Sequence, residues 1–138
     1  MEPTAHHYAV TVADLERALE FYRDTLGLDV LAQFTIDDDA FATGVAVPGA
    51  SGRFAHLDAG GARVELVEYD PQGDPIPETA LNQPGATHLG LAVEDPWAVY
   101  DALPADVPTL SEPQTTGTGT TILFVRDPDG NLVELLDA

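Results

Sequence analysis

The two halves of the chain show the same succession of hydrophobic patterns, in which a strand-like segment is followed by helical spacing and then by further strand-like segments. Residues 6–12 are β-rich and partly alternating, which predicts a strand. Asp14 follows in the place of a helix N-cap, and Gly27 ends the helical pattern as a C′ glycine does. Between them, apolar residues recur at helical spacing at Leu15, Ala18, Leu19, Tyr22 and Leu26.

The remainder of the first half is rich in apolar runs separated by turn residues. We interpret residues 28–36 as a second strand and 62–69, which alternates clearly, as another. Two further apolar runs lie between them, at 41–47 and 53–58. The Pro- and Gly-rich segment that follows, 70–85, is predicted to be a surface linker.

The same order starts again after the linker. Residues 87–93 predict a strand, and Asp95 caps a helix that has Pro96 at its first position. We expect this helix to bury Trp97, Val99, Tyr100 and Leu103. The last segments predict a short strand at 107–110, a strand at 120–126, a tight turn at 127–130 and a closing strand at 131–137.

An internal repeat relates the two halves. The pattern H-x-x-x-x-V-x-D runs from His7 to Asp14 and again from His88 to Asp95. Each half also ends in a strand that carries a glutamate between apolar residues, Arg-Val-Glu-Leu-Val at 63–67 and Leu-Val-Glu-Leu-Leu at 132–136. The predicted organisation is a first module at 1–69, the linker at 70–85 and a second module at 86–138.

The repeated residues are candidate metal ligands: His7, Glu65, His88 and Glu134. A single strand His or Glu usually faces solvent, but four such residues in a repeated register favour a shared role. If the halves are structural copies, a pseudo-twofold axis gathers two imidazoles and two carboxylates around one divalent ion. This donor set suits Zn, Ni, Co, Mn or Fe(II). His6 and His56 have no counterpart in the repeat and are interpreted as structural or surface residues.

The charge is strongly negative, with 24 Asp and Glu against 5 Arg and no Lys, a net charge of −19. Such a chain repels nucleic acid and anionic membranes, so neither is an expected partner. The acids are scattered along the chain, which favours the cytoplasm of a salt-accumulating halophile over a dedicated binding surface. The absence of cysteine excludes disulfides, thiolate metal sites and cysteine nucleophiles.

Two motifs resemble the vicinal-oxygen-chelate superfamily, which includes glyoxalases, bleomycin-resistance proteins and dioxygenases. One is the opening, with His7, Asp14-Leu15, Phe21-Tyr22 and Leu26-Gly27-Leu28, and the other is the closing hairpin at 127–135, Asp-Pro-Asp-Gly-Asn-Leu-Val-Glu-Leu. The resemblance implies an α+β fold of two βαβββ modules that form a curved mixed sheet around a metal site, often in a homodimer.

The resemblance also implies a function. The four metal positions of bacterial-type glyoxalase I fall on the four repeated residues, with all residue types matching. It implies a metal-dependent lyase or isomerase that acts on a small substrate with vicinal oxygens through an enediolate. Glu134 is then the first choice for the catalytic base, with Glu65 as its partner.

The chain departs from the pattern of each of three groups in the superfamily, and two alternative functions are considered beside the glyoxalase one. Bacterial glyoxalase I tends to hold glutathione with Arg and Asn where this chain has Thr11 and Tyr69, so the carrier thiol is not assigned. Relatives resembling methylmalonyl-CoA epimerase usually have Gln in place of Glu65. An Fe(II) extradiol dioxygenase is an alternative, although its characteristic Tyr is replaced by Phe124 and its acid/base His has only His56 as a candidate. A non-catalytic antibiotic-binding protein is another alternative.

Overall fold

The computed structural model describes all 138 residues, which form two compact units, Met1–Ile76 and Pro77–Ala138. Each unit contains one four-stranded mixed sheet. Each unit has a strand, a helix and three further strands in that order, with one additional helix in the first unit, so the predicted α+β class with βαβββ modules is confirmed. None of the helices combines the length and the apolar character that crossing a bilayer requires.

The first unit follows the order that the hydrophobic pattern predicts, with one added helix between its second and third strands. The elements are β1 His7–Thr11, α1 Leu15–Leu19, β2 Val30–Ile36, α2 Asp39–Gly44, β3 Ser51–Asp58 and β4 Arg63–Asp70. The chain continues from α1 into a π-helical segment, Glu20–Thr25. The sheet order is β1-β4-β3-β2, with β1 parallel to β4 and the other pairs antiparallel.

The first helix forms where a capping residue meets an apolar stripe. The Asp14 carboxylate accepts a hydrogen bond from the Arg17 backbone N–H at 3.1 Å, which satisfies one of the free donors of the first turn. Four residues of the predicted stripe are buried, Leu15, Ala18, Leu19 and Tyr22, whereas Leu26 is half-buried; Phe21 is buried as well. Gly27 ends the segment with a φ of +80°, a conformation that glycine adopts without a Cβ clash.

We expect Asp14→Ala to lower the free energy of unfolding by about 1 kcal/mol, because the Arg17 N–H loses its acceptor. Urea unfolding followed by circular dichroism measures the change. Asp14→Asn is the matched control, since its amide oxygen accepts the same hydrogen bond and should retain most of the stability. Equal losses in the two variants would contradict a capping role for this side chain.

The second unit repeats the module with shorter elements. These are β5 Leu89–Ala92, α3 Pro96–Ala102, β6 Gln114–Thr115, β7 Thr121–Arg126 and β8 Leu132–Leu136. The sheet order is β5-β8-β7-β6, with β5 parallel to β8 and the other pairs antiparallel. As predicted, Asp95 caps α3 by accepting from the Trp97 backbone N–H at 3.0 Å. The predicted turn closes through a hydrogen bond from the Gly130 N–H to the Asp127 carbonyl at 2.9 Å.

Two expectations for this unit are wrong. Residues 107–110 form no strand: Thr109 makes one isolated bridge to Val125, and the short strand is β6, further along the chain. The four residues expected to be buried by α3 are not: Trp97 is 44% exposed, and Val99, Tyr100 and Leu103 are only half-buried. The helix has only seven residues and buries Pro96 fully, so it covers less of the sheet than the apolar spacing implies.

A repeated His–Glu pair as candidate functional site

The two candidate glutamates occupy the same position in their sheets. Glu65 on β4 pairs with Ala9 on β1, two residues after His7. Glu134 on β8 pairs with Gly90 on β5, two residues after His88. The sequence repeat is therefore a structural repeat, and within each unit it places one imidazole beside one carboxylate.

The His and Glu of each pair approach each other without forming a hydrogen bond. The His7 Nε2 lies 3.7 Å from Glu65 Oε1, and the His88 Nε2 lies 3.8 Å from Glu134 Oε1. In both pairs the imidazole is about one-third exposed, at 37% and 38%, whereas the carboxylates are mostly covered, at 13% and 17%. The near-identical values show that the two units present their pairs in the same way.

These separations are compatible with metal coordination by each pair. Imidazole nitrogen and carboxylate oxygen bind divalent metals at about 2.1 Å, so two atoms on one ion lie at most about 4.2 Å apart. Both pairs meet this condition. The structure holds no group of three or more His, Asp or Glu side chains arranged for a metal ion. What it holds is one His–Glu pair in each unit, and both residue types are common metal ligands.

Glu68 lies on the other face of the first sheet, as its spacing from Glu65 predicts. Its Oε2 accepts a hydrogen bond from the backbone N–H of Leu15, the first residue of α1, at 2.8 Å. The Arg53 guanidinium donates to the same oxygen at 3.3 Å. Since side chains three apart on a strand point to opposite faces, Glu65 points away from this helix.

The two remaining histidines have different surroundings. His6 is exposed, and its Nδ1 lies 2.8 Å from the Nδ1 of His7. His56 is only 7% exposed, and its Nε2 lies 2.6 Å from Glu65 Oε2. Its interpretation as a structural or surface residue missed this contact with a candidate ligand. The available signal was that His56 and Glu65 lie at similar distances on either side of the Gly60-Gly61 turn.

Aromatic rings lie on the face of the first sheet that carries Glu65 and His56. Phe34 on β2 stacks on Phe54 of β3 with ring centroids 5.1 Å apart, and Phe34 remains 38% exposed. Phe41 of α2 stacks on Tyr69 of β4 at 6.0 Å. In the second unit, Phe124 stands edge-on to the His88 ring at 5.1 Å. The His–Glu pairs therefore lie beside apolar, partly exposed surfaces.

The family follows from comparison with known proteins. Residues 4–135 match the model of the Glyoxalase/Bleomycin resistance protein/Dioxygenase superfamily. The chain belongs to this superfamily. The match spans both βαβββ modules and confirms the resemblance of the opening motif and the closing hairpin.

Relatives within the superfamily carry two kinds of name. A probable lactoylglutathione lyase of Vibrio parahaemolyticus is 30% identical over 139 residues, covering 94% of this chain and 87% of the relative. An ethylmalonyl-CoA/methylmalonyl-CoA epimerase of Cereibacter sphaeroides is 32% identical over 137 residues, covering 94% of each. A glyoxalase family protein of Bacillus cereus shares the fold with a TM-score of 0.84 at 16% identity, covering 96% of this chain and 91% of that protein.

Proposed function

We propose that this glyoxalase-superfamily protein is a metal-dependent lyase or isomerase of the glyoxalase I type, acting on a small substrate with vicinal oxygens. The observation that carries the proposal is the His–Glu pair repeated at one register position in both sheets. In the proposal, His7, Glu65, His88 and Glu134 hold one divalent ion. Two imidazoles and two carboxylates suit Ni, Co, Zn, Mn or Fe(II). Within each pair, the His nitrogen and the Glu oxygen are close enough to bind the same ion.

The protein residues supply proton transfer in this proposal. The ion, when bound, supplies the positive charge that stabilises negative charge developing on two neighbouring substrate oxygens. Glu134 takes a proton from the carbon beside the carbonyl and returns it to the adjacent carbon. Its carboxylate is suited to this role because it makes no hydrogen bond within the structure and remains 17% exposed. Glu65 is the partner carboxylate.

The two kinds of relative support proton transfer as the shared chemistry. A lactoylglutathione lyase and a methylmalonyl-CoA epimerase are both named for compounds with a reactive carbon next to a thioester carbonyl. The ligand set, with Glu65 in place of the Gln usual in epimerase-like chains, favours the lyase. Thr11 is exposed on β1 and Tyr69 stacks on Phe41, so neither supplies the Arg and Asn expected for glutathione. The proposal therefore assigns no glutathione to this site, and the carrier thiol is either a different one or absent.

The test is a turnover assay on protein stripped of metal and reloaded with Ni, Co, Zn, Mn or Fe(II). Substrates are hemithioacetals of methylglyoxal with several thiols, and methylmalonyl-CoA, assayed without oxygen. Metal-dependent turnover of a hemithioacetal that EDTA abolishes supports the proposal. Turnover of methylmalonyl-CoA alone would replace the lyase with an epimerase. Oxygen uptake with a catechol and iron, or ligand binding without any turnover, would contradict the proposal.

A further inference from the structure

His56 lies in a chain of three polar side chains that determines its tautomer. The Arg63 Nη1 lies 3.3 Å from His56 Nδ1, and the His56 Nε2 lies 2.6 Å from Glu65 Oε2. A guanidinium has only donors, so Nδ1 must be the accepting nitrogen. A neutral imidazole that accepts at Nδ1 carries its hydrogen on Nε2. His56 therefore donates to Glu65, and Nδ1 is already occupied by Arg63.

The two oxygens of Glu65 have different neighbours because of this contact. Oε2 accepts from His56, whereas Oε1 faces His7 Nε2 at 3.7 Å. A buried imidazole, 7% exposed, cannot readily move away from this carboxylate. Glu65 is thus oriented with one oxygen held and one oxygen presented toward His7. His56 is itself unsuited to metal ligation, because its Nε2 carries the hydrogen and its Nδ1 is paired.

The second unit has no such partner for its glutamate. His56 pairs across β3 and β4 with Glu65, and the equivalent partner of Glu134 across β7 and β8 is Phe124. A phenyl ring offers no donor to a carboxylate. The Glu134 carboxylate consequently has no hydrogen bond, and its ionic neighbour is His88, whose Nε2 lies 3.8 Å from Glu134 Oε1. The two glutamates are therefore equivalent in sheet position, but only Glu65 has a hydrogen-bond donor opposite it.

We propose that His56 is a positioning residue that fixes Glu65 as a single-oxygen metal ligand, while Phe124 leaves Glu134 free to move as the proton carrier. This rests on the proposed function, since it assumes a metal at the His–Glu pairs. It assigns different roles to two carboxylates that the sequence repeat makes look equivalent. Outer-shell hydrogen bonds to ligating carboxylates commonly contribute about 10–100-fold to metal affinity.

The test compares His56→Phe, which copies the second unit, with His56→Gln, whose amide can still donate to Glu65. Both are titrated with Co²⁺ alone, by calorimetry and by the visible absorption of the bound ion. We expect His56→Phe to bind about 10–100-fold more weakly with an altered spectrum. His56→Gln should retain most of the affinity and the wild-type spectrum. Unchanged Co²⁺ affinity and spectrum in His56→Phe would overturn the proposal.

His56→Leu keeps the proposal testable if His56→Phe does not fold. Leucine removes the Nε2 donor to Glu65 and fits the buried space of the imidazole without the larger phenyl ring. We expect a weaker Co²⁺ complex with a measurable spectral change, and wild-type binding in this variant would also overturn the proposal. If wild-type protein itself binds no Co²⁺, the proposed function fails first. If wild-type protein binds and the variants match it, only the role of His56 fails.

Discussion

We expect Glu134→Gln to lower kcat by about 10²–10⁴-fold in the metal-loaded protein, the range that a general base contributes, because Glu134 is the proposed base. Glutamine has nearly the same shape and offers an oxygen, but its amide cannot take up the substrate proton. Glu134 lies on the partly exposed face of β8, between the buried Val133 and Leu135, so the core is unaffected. Stopped-flow or steady-state turnover, with metal content measured on the same samples, gives the value.

Glu65→Gln is the matched control for this prediction. It makes the same chemical change at the equivalent register position of the first sheet. Because Glu65 is held by His56, we expect its replacement to act mainly on metal affinity and to lower kcat less at saturating metal. Near-normal turnover of fully loaded Glu134→Gln would contradict its role as the base. A larger kcat loss in Glu65→Gln would exchange the two roles.

His88→Ala and His7→Ala each remove one imidazole from one pair, and each is expected to abolish stoichiometric metal binding. Loss of a direct ligand should exceed the roughly 10–100-fold effect of losing an outer-shell partner. Calorimetric titration with Co²⁺ measures both variants. Loss of metal binding in both variants is expected only if the His–Glu pairs of the two units bind the same ion.

His6→Ala is the control for these variants, because His6 is exposed and has no counterpart in the second unit. We expect a much smaller change in affinity, limited to the loss of its contact with His7 Nδ1. If His88→Ala binds Co²⁺ as wild type does while His7→Ala does not, the ion belongs to the first unit alone. That outcome would contradict the four-ligand site.

Local signals account for what the sequence predicted correctly. The N-caps Asp14 and Asp95 act on backbone groups within three residues of themselves, so their capping could be predicted without tertiary information. The strand that carries each His and the one that carries each Glu are marked by β-rich apolar segments and turn residues. The repeat then predicted that each His and its Glu occupy equivalent positions, which the sheet registers show.

Non-local pairing accounts for what the sequence did not predict. The strand expected at 107–110 is replaced by β6 because a two-residue edge strand depends on its partner rather than on its own propensity. Trp97 has helical spacing to Tyr100, yet the short helix leaves its ring outside the core. The contacts of His56 depend on its cross-strand register with Glu65 and on Arg63, neither of which a lone histidine indicates.

Elemental analysis of protein purified in high salt, without chelator or metal-affinity resin, tests the central claim most directly. We predict about one Ni, Co, Zn, Mn or Fe per proposed four-ligand site, and loss of this metal in His88→Ala and in His7→Ala. Protein that contains no metal, and takes up none when Co²⁺ is added, would contradict it and leave a metal-free binding protein as the better description.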